Sequence, residues 1–244
     1  MKKPHRARLT LCLAYYDNPN MLMLQLERIS RLGDDLRADL EVAVCDDGSP
    51  RWPATGAAIG CPLRIYRIGV DVRWNQDAAR NICVHHTQTP WILLTDMDHL
   101  PSDAAWKRVL KGKLDGDFSY RFERVTLHPD QSMTPYKPHP NTWLMTRKTW
   151  DCTGGYDERF AGFYGTDADF RDRLTGCSMV AMLREPVIRV PRETVPDAST
   201  TTYERKSKED GPAIRSIKVQ RDAEVGWRPV TLRFPYELVY SSEG

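Results

Sequence analysis

The stretch Trp91-Ile92-Leu93-Leu94-Thr95-Asp96-Met97-Asp98 is an apolar run that ends in two carboxylates one residue apart. At this length, with polar residues on either side, Trp91–Thr95 reads as a buried strand rather than a helix, with Asp96-Met97-Asp98 at its end. The same pattern recurs outward from it. Leu9–Ala14 and Leu40–Cys45 are apolar strands that run into Tyr15-Tyr16-Asp17-Asn18-Pro19 and Asp46-Asp47-Gly48-Ser49-Pro50, and Leu63–Ile68 is a further strand. Between them, Pro19 to Leu32 carries Leu22, Leu26, Ile29 and Leu32 at helical spacing until Gly33 stops it. Asp77 to His86 is a second helix, and Ser102 or Asp103 caps a third that reaches Leu110. Strands alternating with helices predict an α/β fold: a Rossmann-like, mostly parallel sheet with helices on both faces. Ligands of such sheets gather beyond the carboxyl ends of the strands, so the three polar clusters are expected to share one rim.

The second half is less regular. Asp117–Leu127, Thr142–Thr146, Met179–Leu183 and Val187–Val190 read as strands, Asp167–Leu174 as a short helix, and His128–Asn141 as a long loop. After Pro191 the composition turns polar, which predicts a mobile segment around Asp197–Pro212 before Trp227–Tyr240 docks back. With 41% apolar residues in 244, a core is feasible, and no run approaches the ~20 apolar residues of a membrane span. The chain therefore reads as soluble and cytoplasmic. Six scattered cysteines without a Cys-x-x-Cys pair read as free thiols. The net charge of +2 does not call for nucleic acid, although Arg205-Lys206-Ser207-Lys208 through Arg215, Lys218 and Arg221 is a basic stretch. A solvated helix face or a mobile segment accounts for it, and a nucleic-acid contact is the rival reading.

Asp96-Met97-Asp98 leaves its strand for solvent. One carboxylate can bind a hard divalent cation, Mn²⁺ or Mg²⁺, and the other can reach a ribose or a water beyond it. Asp46 and Asp47 can accept from a base N–H or a ribose hydroxyl, with Gly48 permitting the turn. Tyr15 can stack on a base whose edge Asp17 binds; the plain alternative is a packed tyrosine before a capped helix. Arg80, in Asp77-Ala78-Ala79-Arg80-Asn81, can face a diphosphate or the aspartates. Gly154-Gly155-Tyr156-Asp157-Glu158 and Tyr164-Gly165-Thr166-Asp167-Ala168-Asp169 combine glycines and aromatics ahead of a helix that starts at Asp167. A carboxylate there can be a general base held in its charged form, an N-cap, or both. Trp143, Tyr136 and Trp150 can stack on a sugar face or pack the core.

In order and spacing, these motifs resemble the inverting GT-A glycosyltransferases, family 2 and its galactosyl- and N-acetylgalactosaminyl-transferase relatives. The matching positions run from Tyr15 to Arg173. The resemblance implies a GT-A catalytic domain over residues 1–190. Within it, 1–115 is a nucleotide-binding half and 116–190 a smaller acceptor and catalytic half, with 191–244 a C-terminal extension. It implies a nucleotide-diphosphate sugar donor, usually a UDP-sugar, and a divalent metal, often Mn²⁺. By position, Tyr15, Asp17, Asp46, Asp47, Arg80 and Asp96 bind the donor, and Asp98, with Asp96, holds the metal. Asp167 is the base, and Trp143, Tyr164 and Asp169 lie on the acceptor side. The acceptor is a glycan, a lipid-linked glycan or another hydroxyl, a modified nucleic-acid base included. The family commonly has Glu-Asp where this chain has Thr166-Asp167. It often has a third metal ligand, frequently His, downstream of the base, whereas here the last histidine is His139. His99 follows the Asp-x-Asp, shifted by one from an Asp-x-His pattern. The rival to an active transferase is a GT-A domain that binds nucleotide-sugar or glycan without turnover. A sugar-nucleotide pyrophosphorylase needs a Gly-rich basic loop where Tyr15-Tyr16-Asp17-Asn18 stands.

Overall fold

The computed structural model describes residues 7–199 and 207–243. The first half is close to the sequence pattern. Strands β1 (Leu9–Tyr15), β2 (Leu40–Asp46), β3 (Leu63–Ile68) and β4 (Trp91–Asp96) alternate with helices α1 (Pro19–Ser30), α2 (Asp34–Arg37) and α3 (Gln76–His85). A short strand β5 (His99–Pro101) precedes α4 (Asp103–Lys111), which Ser102 caps by accepting the Ala105 N–H. The second half contains β6 (Phe118–Leu127), β7 (Met133–Tyr136), β8 (Trp143–Thr146), α5 (Arg147–Thr153), α6 (Asp167–Cys177), β9 (Met179–Arg189), α7 (Asp210–Asp222) and β10 (Tyr236–Ser242).

These strands form one sheet in the order β10-β3-β2-β1-β4-β8-β6-β9-β5, with β7 paired to β6. The run β3-β2-β1-β4 is parallel, as expected, so its carboxyl ends lie on one edge. Helices cover both faces, because strand side chains alternate. Leu9, Leu11 and Leu13 of β1 meet Leu22, Leu26 and Trp106 on one side, whereas Cys12 joins Ile82, Trp150 and Phe170 on the other.

The sequence reading is corrected in four places. The loop expected over His128–Asn141 contains β7, an exposed hairpin strand against β6 that burial patterning could not reveal. The two strands expected over Met179–Val190 are one, with a register shift opposite Phe122 and Arg124. Cys152 and Cys177 form a disulfide with their Cα atoms 6.0 Å apart, whereas Cys12, Cys45, Cys61 and Cys83 are free and buried as expected. The bridge joins the ends of α5 and α6, a proximity that a separation of 25 residues does not advertise. Finally, the basic stretch is partly structural. Arg221 of α7 is buried, bonds Asp169 and lies over the Trp227 ring, and Lys218 lies 3.7 Å from Asp169. Residues 200–206, with Arg205 and Lys206, fall outside the described part, as does that portion of the expected mobile segment. No helix among the described residues is long and apolar enough to cross a membrane.

The C-terminal region docks back. β10 pairs antiparallel with β3 and so covers the edge of the parallel run. The Gly154–Glu158 motif latches the chain ahead of it. Buried Glu158 accepts from the backbone N–H groups of Leu232 and Arg233 and from the Asn81 amide, and Asp157 accepts from Val230. Gly155 has φ +80° and lies against Asn81, where a Cβ would come within 2.9 Å of the amide oxygen.

Candidate active site

Strand register sets the site. Tyr15 pairs with Asp46 and Ala14 with Asp96, so β1, β2 and β4 end flush. The cleft beyond them is lined by Tyr15, Asp47, Asp96, Asp98, Tyr164 and Asp167, residues the sequence points to. Trp74, His99, Arg124, His139, Asn141 and Arg189 also line it.

Asp96 stands at the centre of the charge network. The buried Arg80 guanidinium donates to Asp96 at 2.5 Å, to Gln76 at 2.9 Å and to Asp77 at 3.4 Å. The Tyr156 ring lies 5.0 Å from that guanidinium. Arg80 is therefore no surface ion pair. Burial works against ionisation of Asp96, but the Arg80 guanidinium outweighs it and holds the carboxyl well below the usual range. His139 lies with Nε2 3.4 Å from Asp96 and Nδ1 2.9 Å from the Thr142 hydroxyl. Burial, then the neighbouring His99, push its pKa down to about 3, so its ring is neutral near pH 7. His99 stacks on it with centroids 3.7 Å apart. Because Arg124 can only donate to His99 Nε2 (3.0 Å), the His99 proton sits on Nδ1 and is given to Asp98 at 2.8 Å.

Asp167 opens α6 across the cleft. Thr166 donates its hydroxyl to Asp77 and so ties the start of α6 to α3. The residue before the helix makes no side-chain cap, and Asp167 lines the cleft instead of serving as an N-cap. Its pKa is raised, by burial first and then by Asp96, against the pull of Arg80 and a hydrogen bond from Asn141. The Asn141 amide also approaches Asp96 at 3.5 Å, so it spans the two carboxylates.

Four expected site residues point elsewhere. Asp46 is fully buried, because the turn after β2 folds over it: its carboxylate accepts the N–H groups of Ser49 and Ala54. Gly48 makes that turn possible, since at φ +69° a Cβ would strike the Val70 carbonyl. Asp17 is likewise consumed by the backbone of Arg51 and Trp52 and the Arg51 guanidinium. Trp143 is a core residue with its indole N–H on the Pro140 carbonyl. Asp169 is buried between Arg173 and Arg221, where it braces α6. Tyr15 reaches the cleft but is only 1% exposed, with its hydroxyl on the Trp52 carbonyl. Among the other aromatics, Trp150 is core, and Tyr136 is exposed beside Arg124 and Arg189. Asp197 accepts from Asn20 and Met21 at the start of α1.

Trp74 was not foreseen. It has φ +110°, a strained conformation for a bulky residue, and its ring meets Tyr164 edge-on at 4.7 Å. His139, Asn141, Arg124 and Arg189 come from a loop and two strands with no readable pattern. Adjacency to Asp98 is the one signal that marked His99.

The donor set suits a hard cation carried together with phosphate. Asp98 offers a partly exposed carboxylate with one oxygen engaged, and the outer Asp96 oxygen has only long contacts. No group of three or more His, Cys, Asp or Glu side chains that could hold a metal occurs among the described residues. A cation here would complete its shell from ligand oxygens and water, as Mg²⁺ commonly does.

No family model and no curated protein matches this sequence. Solved structures do match. GalNAc-T7, crystallised with UDP, GalNAc and Mn²⁺, gives a TM-score of 0.55 at 10% identity over 78% of this chain and 45% of that one. S. aureus TarS 1–349 gives 0.54 at 11% identity over 83% of this chain and 67% of that one. The chain thus spans under half the length of the first. What it shares with both is the fold, and that fold is GT-A.

Proposed function

We propose that the protein is an inverting glycosyltransferase that moves a sugar from a nucleotide-diphosphate donor, a UDP-sugar in the first instance, to an acceptor hydroxyl. The observation that carries this reading is the convergence of Asp96, Asp98 and Asp167 on one cleft at the carboxyl ends of the parallel strands. A GT-A neighbour crystallised with UDP, GalNAc and Mn²⁺ supports the donor class and the metal. Residues 1–190 are the catalytic domain and 191–244 its extension.

Asp167 accepts the proton of the acceptor hydroxyl as that oxygen attacks the anomeric carbon from the side opposite the diphosphate. The new carbon–oxygen bond forms while the bond to the diphosphate breaks, so the anomeric configuration inverts. Burial and Asp96 make Asp167 a stronger base than an ordinary carboxylate. Asn141 orients it. Asp98, supported by Asp96, holds the Mn²⁺ or Mg²⁺, which when bound stabilises charge on the departing diphosphate. Arg80 is a positioning residue: fully buried, it fixes Asp96 in place and in its ionised form. Asp47 and the rim beside Tyr15 receive the nucleoside, and Tyr164 with Trp74 flanks the sugar. Asp46, Asp17 and Asp169 shape the site from behind it.

Hydrolysis of UDP-, GDP- and dTDP-sugars with and without Mn²⁺ tests the reading. Turnover of one nucleotide class, lost in Asp98→Ala, is expected. Nucleotide binding with no turnover of any sugar would instead establish a binding domain, a rival favoured only by the small protein ligand set around Asp98.

A further inference from the structure

Arg124 and Arg189 face the same cleft from β6 and β9, which pair in parallel with Thr126 opposite Arg189. Among the described residues neither guanidinium has a carboxylate partner. Both instead flank the Tyr136 ring, at 4.5 and 6.0 Å from its centroid. Arg124 is only 6% exposed, gives one N–H to His99, and its Nε has no partner among the described residues. Burial, then repulsion from Arg189, hold its pKa below the usual arginine value. Asp98 acts on Arg124 electrostatically and is hydrogen-bonded to it only by way of His99. The other buried arginines differ: Arg80 and Arg221 each bond aspartates.

Two guanidinium groups that share one ring and hydrogen-bond no carboxylate are costly to keep in a partly buried place, and an anion bound to both lowers that cost. The donor diphosphate is one source of such an anion. Position sets the arginines apart from the nucleoside, whose rim lies at β1 and β2, whereas β6 and β9 are on the far side of β4 and β8 in the sheet. Arg189 also opens into an adjoining hollow lined by Arg192, Glu193 and Ser199, in which Glu193 makes no ion pair with Arg189 among the described residues.

We propose that Arg124 and Arg189 form a phosphate subsite for the acceptor, so that the preferred acceptor carries a phosphate group near its reacting hydroxyl. This rests on the transferase reading above, but the subsite can be tested apart from it. Inorganic phosphate is titrated into protein saturated with UDP and Mn²⁺, for the wild type and Arg189→Gln. Phosphate is expected to bind beside UDP, about tenfold more weakly in the variant, because a charge-assisted contact is lost. UDP affinity itself should change less than about twofold, which also shows that the variant is folded. Absence of phosphate binding to the UDP-saturated wild type would overturn the proposal. So would an equal loss of UDP affinity in Arg189→Gln, which would assign the arginines to the donor diphosphate. Should UDP fail to bind the wild type while phosphate binds and the variant weakens it, the subsite stands and the donor reading falls.

Discussion

At the residue scale the proposed chemistry turns on Asp167. As a base it must be ionised, and its pKa is raised, so kcat/KM should fall with unit slope as pH drops through a value above the ordinary carboxylate range of about 4. A pH–rate profile that stays flat down to pH 4 would remove Asp167 from the role. Asp167→Asn should lower kcat by roughly 10²–10⁴ while UDP binding persists, because the amide keeps the shape but cannot take the proton. The aspartates around it could not be ranked from sequence. Asp46, Asp17, Asp47 and Asp96 all follow strands, yet only Asp47 and Asp96 line the cleft. The difference lies in which backbone N–H groups the following turn presents. Ser49 and Ala54 reach Asp46, and Arg51 and Trp52 reach Asp17.

At the element scale, α6 is aimed from three sides: Thr166 on Asp77 at its start, Asp169 between Arg173 and Arg221 along its length, and Cys177 bridged to Cys152 at its end. Cys177→Ser should cost about 3.5 kcal/mol, the chain-entropy value for a closed loop of this length, read as a lower midpoint in denaturant. An unchanged midpoint with and without reductant would show that the bridge does not form in solution. The Glu158 latch is the second device. Glu158→Gln sets an amide N–H against the Leu232 or Arg233 N–H and should destabilise by about 2–4 kcal/mol. Limited proteolysis near residues 227–235 should accelerate in parallel. The helices and strands of the first half were legible because each buries an apolar stripe at its own period. β7 was not, since it buries nothing, and neither was α5, whose seven residues hold too few turns to show a stripe.

At the scale of the molecule, several carboxyls are held ionised at a cost. Asp46, Asp77 and Asp167 are raised chiefly by burial, Asp77 to about 6. A carboxyl whose folded pKa exceeds its unfolded value near 4 binds protons more tightly when folded. Its contribution is therefore fully present below pH 4 and is lost as pH rises through the folded value, which for Asp77 is about 6. Asp96, held low, works the other way and loses its contribution as pH falls below 4. The thermal midpoint should thus rise as pH is lowered from 7 to about 5, and Asp77→Asn should flatten that slope. A midpoint that falls monotonically over the same interval would contradict the assignment.

The sequence alone determined the α/β layering, the parallel run of strands and the edge at which a site must form, because burial period and strand ends are local properties of the chain. It also pointed to Asp96, Asp98 and Asp167 through order and spacing. Tertiary structure decided which polar groups face the cleft and which are consumed behind it. It brought His139 onto Asp96, set Arg124 and Arg189 side by side, paired Cys152 with Cys177 and turned the Gly154–Glu158 motif into a clasp for the C-terminal strand. These are contacts between segments far apart in the chain. The partner that satisfies a buried charge is fixed by packing, and no local pattern records it.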